Sequence, residues 1–412
     1  MKNVFIVADD TTGANSSAIL HKSLGYDCVS IHTEVKEIRK QSVYAFSTNS
    51  RGVEKEEAYK RVKKTLDDLP IEDAVYCKRV DSTLRGNLGR ELDAFLDTYQ
   101  DKTAIVVASF PSSGRICKHN KLYVHGELLE TTDVAKDPKM PVTTSVVTDL
   151  FGKQSDRTIG HIDLDSVHGE DFDQILLQAY QNNDIVVVDA VENVDIKKIA
   201  DSVVRQNLDI VSVDPGPFTY YYARSLKEHE AFKFYCLVGS VTPLTLKQMR
   251  YAKEYGASVY ELDVLQVLSE DFEDYLKKVY QELIEIDNDF LIITTSSLSC
   301  DKKIVLQDHC SEGQMPEDIS NLINQRIAQL FIEFVYHQKP HCVYTSGGDT
   351  TLEFLSSAES YGLRMNSEIM PLTVESQLLG GPFEGLRIVS KGGLIGDEDA
   401  IMHIYRYMKV GK

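Results

Sequence analysis

Short apolar runs, each about as long as a strand, are separated along this chain by stretches in which apolar side chains recur every three or four positions. The runs VFIVA, SVYAFST, AVYCKRV, AIVVASF, DIVVVDA and DIVSVD occupy the first half, and FYCLVGS, DFLIITTS, HCVYTSG and LRIVSKG the second. Several lack the in/out alternation of a strand with one wet face, which predicts strands covered on both sides. Between them, Ala58, Val62, Leu66 and Leu69 make one stripe of an amphipathic helix, and Leu88, Leu92, Phe95, Leu96 and Tyr99 make another. Strands alternating with helices predict an α/β architecture of mostly parallel sheets flanked by helices.

A chain of 412 residues exceeds one ordinary hydrophobic core, so two domains are expected. The charged stretch EHEAFKF, between DPGPFTYYYARSL and the fresh strand FYCLVGS, places the division at residues 1–230 and 231–412. Residues 111–160 are poor in helix pattern and rich in Pro, Gly, Ser and Thr, and read as an extended excursion of the first domain.

A formal charge of −19 argues against a nucleic-acid or anionic-membrane binder, because a polyanion would be repelled. Seven cysteines, an odd number with no CxxC pair, read as reduced thiols. MKNVFIVADDTTG breaks its apolar run with two aspartates, unlike a signal peptide or membrane anchor, and no other stretch is long and apolar enough to span a bilayer. A cytoplasmic location is expected.

The polar signal concentrates where strands give way to helices. VADDTTGANSS supplies Asp9, Asp10 and Gly13, STNSRG supplies Arg51, KRVDSTLRGN crowds Lys78, Arg79, Asp81, Ser82, Thr83, Arg85 and Asn87 together, and ASFPSSGR supplies Arg115. In a parallel sheet these turns share the carboxyl edge and converge. Carboxylates beside guanidiniums and hydroxyls suit a small, polyhydroxylated carboxylic acid: arginine clamps a carboxylate by two bonds, and aspartate accepts a hydroxyl proton. The plainer reading is that Asp9 and Asp10 cap a helix while the arginines are solvated. In the second half VGSVTP, TSGGDTT and SKGGLIGDED place Gly239, Ser240, Gly347, Gly348, Asp349, Thr350, Lys391, Gly392, Gly393 and Gly396 at three such junctions, where backbone N–H groups can approach phosphates. No Walker-type loop, GxGxxG fingerprint, HExxH or GxSxG is present. His161 and His168 read as polar surface residues rather than metal ligands, and Tyr220–Tyr222 as packing.

VADDTTGA, KRVDSTLRGN, SFPSSGR, LLETTDVAKDPKMPV, VGSVTP, SGGDT and KGGLIGDEDAI resemble, in this order and across nearly the whole chain, the four-carbon acid sugar kinase family. The resemblance implies ATP-dependent phosphorylation of the terminal hydroxyl of threonate, erythronate or an oxo-tetronate such as 3-oxo-tetronate. The N-terminal domain would hold the acid, the C-terminal domain ATP, and the active site would lie in the interdomain cleft. Substrate contacts are implied at Asp9, Asp10, Arg51, Asp81, Ser82, Thr83, Leu84 and Arg85, with Lys78, Gly86 and Asn87 in the same turn. Lys78 and Arg85 would hold the carboxylate, Ser82 and Thr83 the hydroxyls, and Asp9 or Asp10 would be the base. Nucleotide contacts are implied at Ser240, Gly347, Gly348, Asp349, Thr350 and Gly393, with Mg2+ accompanying ATP, Asp349 nearby, and the metal's ligands unassigned. The chain departs from the family at DPGPFTYYYA, at Thr11 and Asn15, and in the last glycine turn. Those departures leave open a kinase for another small hydroxy acid or a non-catalytic sensor. An enzyme of this size is often a homodimer.

Overall fold

The computed structural model describes residues 2–32, 37–70, 73–138, 140–240, 242–298 and 315–410. It divides into two compact units, Met1–Glu230 and Ala231–Gly411.

The first unit carries β1 (Val4–Ala8), β2 (Asp27–Ile31), β3 (Ser42–Ser47), β4 (Val75–Arg79), β5 (Thr103–Val106), β6 (Arg115–Lys118), β7 (Lys121–Val124), β8 (Glu127–Leu128), β9 (Ile159–Ile162), β10 (Ile185–Val188) and β11 (Ile210–Asp214). Eight of these form one sheet in the order β2-β3-β1-β4-β11-β5-β10-β9, every pair parallel. β1 is buried along its whole length because helices cover both faces of the sheet, which is why its sequence does not alternate. From β1 the chain builds β2 and β3 on one side and β4 on the other. That change of direction sets the carboxyl ends of β3, β1 and β4 side by side, the usual place for a ligand crevice. The helix Lys55–Asp67 buries Ala58, Val62 and Leu66, and the helix Leu88–Thr98 buries Leu88, Leu92, Phe95 and Leu96, on the predicted stripes.

Residues 111–160 contain the small antiparallel sheet β6-β7-β8. It is pinned to the main sheet where Cys117 bridges to Ala190 and the Ser109 hydroxyl donates to Ala190 O at 2.6 Å.

The second unit carries β12 (Phe234–Val238), β13 (Ser258–Glu261), β14 (Phe290–Thr294), β15 (Cys342–Ser346), β16 (Gly362–Met370), β17 (Thr373–Leu379) and β18 (Arg387–Lys391). The order is β13-β14-β12-β15-β18-β17-β16, parallel as far as β18 and antiparallel beyond it. Tyr235 and Leu237 pack with Phe331 and Phe334 on one face, while Phe234, Cys236 and Val238 pack with Met249 and Ile401 on the other. Cys28, Cys77, Cys117, Cys236 and Cys342 are free thiols; Cys300 and Cys310 lie outside the described residues. No described helix is long and apolar enough to cross a membrane.

Candidate active site

In the first unit, the neighbouring strands β3, β1 and β4 bring three of the four polar turns into one ion-pair network. Asp9, 2% exposed, accepts from Arg51 Nε at 2.6 Å through Oδ2 and from Nη2 at 3.1 Å through Oδ1. The same Nη2 lies 2.6 Å from Asp10 Oδ2 and 3.4 Å from Asp81 Oδ1. Asp10 also caps the helix Thr11–Leu20, accepting from Gly13 N at 2.6 Å. Capping and cation pairing are thus both present at Asp10. Burial by itself would weaken Arg51's hold on its proton, but the hydrogen bond and charge of Asp9, with Asp81 and Asp10, raise its pKa well above the ordinary guanidinium range.

The turn after β4 is built around Asp81. Arg85 donates through Nε at 2.7 Å and Nη2 at 3.3 Å to the two oxygens of Asp81, and the Thr83 hydroxyl donates at 2.6 Å. Burial would raise the Asp81 pKa, yet Arg85, Arg51 and Thr83 outweigh it and hold the carboxyl down at about 2. Leu84 and Gly86 take left-handed backbone, φ 53° and 105°, and a Cβ at Gly86 would stand 3.3 Å from Asp9 Oδ2. Ser82 is half-exposed. Asn87 braces the neighbouring turn, donating to Ser50 O at 3.1 Å and Val53 O at 2.9 Å.

Lys78 departs from the expected clamp. Its ammonium is 1% exposed, 2.6 Å from Glu91 Oε2, and donates to Arg79 O at 2.9 Å. A side chain on this face of β4 enters the core against the helix Leu88–Thr98, so Lys78 is half of a buried ion pair with Glu91.

Two residues without a role in the sequence reading join the network. Arg85 Nη1 donates to Asp137 Oδ2 at 3.0 Å, which brings the segment LLETTDVAKDPKMPV to the site. Arg79 Nη1 stands 3.7 Å from both Asp9 and Asp10. Asp137's signal was the quoted segment itself, and Arg79's was a second cation beside Lys78 with no helix stripe to serve.

The fourth turn stays apart, because β11 lies between β4 and β5. Arg115 donates to Ser113 O and lies 3.3 Å from His125 Nε2. The divergent DPGPF turn is self-contained: Asp214 accepts from Gly216 N and Phe218 N, each at 2.7 Å, and from Thr219 at 2.5 Å. His161 and His168 each meet one aspartate, Asp189 at 3.0 Å and Asp195 at 2.8 Å. Among the described residues no three ligating side chains gather to hold a metal ion.

In the second unit the three glycine turns follow β12, β15 and β18, which are neighbours. Gly239 and Gly393 are close-approach positions: a Cβ at Gly239 would lie 2.1 Å from Thr350 Oγ1, and one at Gly393 would lie 2.1 Å from Ser240 Oγ. Thr242 and Thr245 donate to Gly393 O at 2.7 and 2.9 Å, and Ser240 Oγ is 3.1 Å from Thr245 Oγ1. Thr350 donates to Asn324 at 2.8 Å, tying the helix Gly348–Ser357 down and leaving Gly348 and Asp349 exposed at its start. Lys391, 3% exposed, donates only to backbone carbonyls, Gly392 O at 3.0 Å and Ile395 O at 2.9 Å, and burial lowers its pKa to about 8. Ser240, Gly347, Gly348, Asp349, Thr350 and Gly393 therefore sit along one sheet edge.

Residues 4–222 match the model of a sugar-binding N-terminal domain, and residues 235–401 that of a nucleotide-binding C-terminal domain. The fold and the two polar edges thus define a class of two-domain proteins that pair a sugar domain with a nucleotide domain. Within it, the chain belongs to the four-carbon acid sugar kinase family. It is 33% identical to the D-erythronate kinase of Heliobacterium modesticaldum, over 99% of this chain and 97% of that one. It is 24% identical to the D-threonate kinase of Salmonella typhimurium, over 98% of each chain. The fold is shared with a domain of unknown function from Bordetella bronchiseptica, solved with bound citrate as a domain-swapped dimer: TM-score 0.76, 22% identity, 99% of each chain covered.

Proposed function

We propose that this chain uses ATP to phosphorylate the terminal hydroxyl of a four-carbon sugar acid, D-erythronate, D-threonate or 3-oxo-tetronate. The observation that carries the reading is the network at β3, β1 and β4: Asp9 and Asp10 are held against Arg51, and Asp81 against the part-exposed Arg85, whose second guanidinium edge faces Asp137. In this reading the acid's carboxylate pairs with Arg85, taking the edge that Asp137 holds. Ser82 and the backbone of its turn bond the hydroxyls. Asp9 or Asp10 takes the proton from the attacking oxygen as it bonds to the γ-phosphorus, and ADP leaves on the opposite side. Because such a transition state needs little covalent help, positioning and charge neutralisation supply most of the rate.

The glycine turns after β12, β15 and β18 suit a nucleotide: Gly239 and Gly393 let the turns close against the hydroxyls of Thr350 and Ser240, and the helix start at Gly348 has open space beside it for phosphate oxygens. Mg2+ commonly takes one or two carboxylates along with phosphates and water. The exposed Asp349 fits a single carboxylate of that kind, and the ion would neutralise phosphate charge.

The test is ADP release with ATP, Mg2+ and a panel of D- and L-threonate, D- and L-erythronate, 2- and 3-oxo-tetronate, glycerate and a pentonate. Turnover confined to a four-carbon acid is expected; turnover only on glycerate or the pentonate would overturn the substrate class.

A further inference from the structure

Arg79 closes β4 and is 7% exposed. Its Nη1 is equidistant, at 3.7 Å, from Asp9 Oδ1 and Asp10 Oδ1, and neither Nε nor Nη1 has a hydrogen-bond partner. Gly13 keeps its space open: a Cβ there would stand 1.9 Å from Nη1 and 2.3 Å from Cζ. The aspartates also face Arg51, whose side chain is 22% exposed and is shared among Asp9, Asp10 and Asp81. Two carboxylates therefore have two guanidiniums, one that an entering anion can reach and one that it cannot.

We infer that Arg79 is a positioning residue for proton transfer, holding Asp9 and Asp10 in place and ionised when an anionic substrate draws Arg51 toward itself. The inference rests on the reading of one of these aspartates as the base. Like charges brought together disfavour each other's ionisation when a shared counter-charge is withdrawn, and a protonated base accepts nothing from a hydroxyl. An arginine cannot lose its own proton under working conditions and, once buried, cannot swing out to the substrate. Leaving two of its donors unsatisfied is costly, so a shared counter-charge is a stronger reason for its place than packing is. The other groups facing the pair are Gly13 N–H on Asp10, Arg51 from the turn after β3, and Asp81, which reaches them through Arg51 and is itself held by Arg85.

The experiment compares kcat against pH for the wild type, Arg79→Met, Arg79→Lys and Gly13→Ala at saturating ATP and acid. In Arg79→Met the acid limb should move up by about 1–3 pH units, with turnover recovering at high pH, while the KM for ATP stays put. Arg79→Lys should restore most of the wild-type profile. Gly13→Ala should move the limb in the same direction, but it is the less specific variant, because its Cβ meets Asp10 Oδ1 at 2.7 Å as well as the guanidinium. An unmoved limb in Arg79→Met, or an equal, pH-independent loss in Arg79→Met and Arg79→Lys, would overturn the inference. Carboxyl 13C titration of Asp9 and Asp10 reads the same shift without turnover. Failure of the wild type to phosphorylate any acid would then remove the functional reading, and the titration would still decide the role of Arg79.

Discussion

Asp9 and Asp10 are adjacent but held differently, and this separates their expected roles. Asp10 is anchored by the Gly13 N–H, whereas Asp9 is gripped on both oxygens by Arg51. Asparagine caps a helix as well as aspartate does, so Asp10→Asn should keep the start of the helix while removing the charge that faces Arg51. Replacement of whichever aspartate is the base should lower kcat by about 10²–10⁴-fold, while the other variant chiefly raises the KM for the acid. Steady-state kinetics of both variants checks this; wild-type kcat in both would rule out a base in this turn. At this scale the sequence named most of the network but could not rank its cations. Lys78 and Arg85 belong to one polar turn, yet Lys78 points into the core toward Glu91 and Arg85 toward the open edge. Spacing alone does not reveal that difference, because it depends on which face of β4 packs on the helix Leu88–Thr98.

The elements that build both polar edges were the legible ones. β1, β3, β12 and β15 are buried nearly throughout, and β4 and β18 have buried apolar centres that run into charged residues, so each stood out without any alternation to confirm it. β2, β9, β13 and β16 were missed because they lie at sheet edges, where exposed and polar residues dilute the run; β16 reads GLRMNSEIM and has no buried position. β17 mixes buried and half-buried positions, with Glu375 and Ser376 buried in succession, and only its pairing with β18 identifies it as a strand. For the glycine turns the prediction is steric. Gly239→Ala and Gly393→Ala should weaken ATP binding while leaving acid binding unchanged, because the added methyl group meets Thr350 or Ser240. Calorimetric titration with ATP and with the acid separately checks it; unaltered ATP affinity in both variants would mean that the turns do not approach the nucleotide.

Each unit has a core of its own, and in the first unit that core includes a charge pair. Removing one partner of a buried ion pair strands the other, whereas removing both with apolar replacements of similar size is often neutral. Glu91→Ala should therefore destabilise the first unit by about 3–5 kcal/mol. The double change Lys78→Met with Glu91→Leu should recover most of that loss. Thermal melting checks the pair of variants. ATP binding by the second unit should be untouched, and a loss of ATP affinity equal to the loss of stability would show that the pair supports more than its own core.

On this reading one chain moves the γ-phosphoryl group of ATP to the end of a four-carbon acid. It is tested most directly by incubating the purified protein with γ-labelled ATP, Mg2+ and D-erythronate, D-threonate or 3-oxo-tetronate, and locating the label by NMR and mass spectrometry. One ADP should form for each acid phosphorylated at its terminal oxygen with at least one of the three. Ligand-dependent stabilisation without phosphorylated acid or ADP would contradict it and make the chain a binding protein.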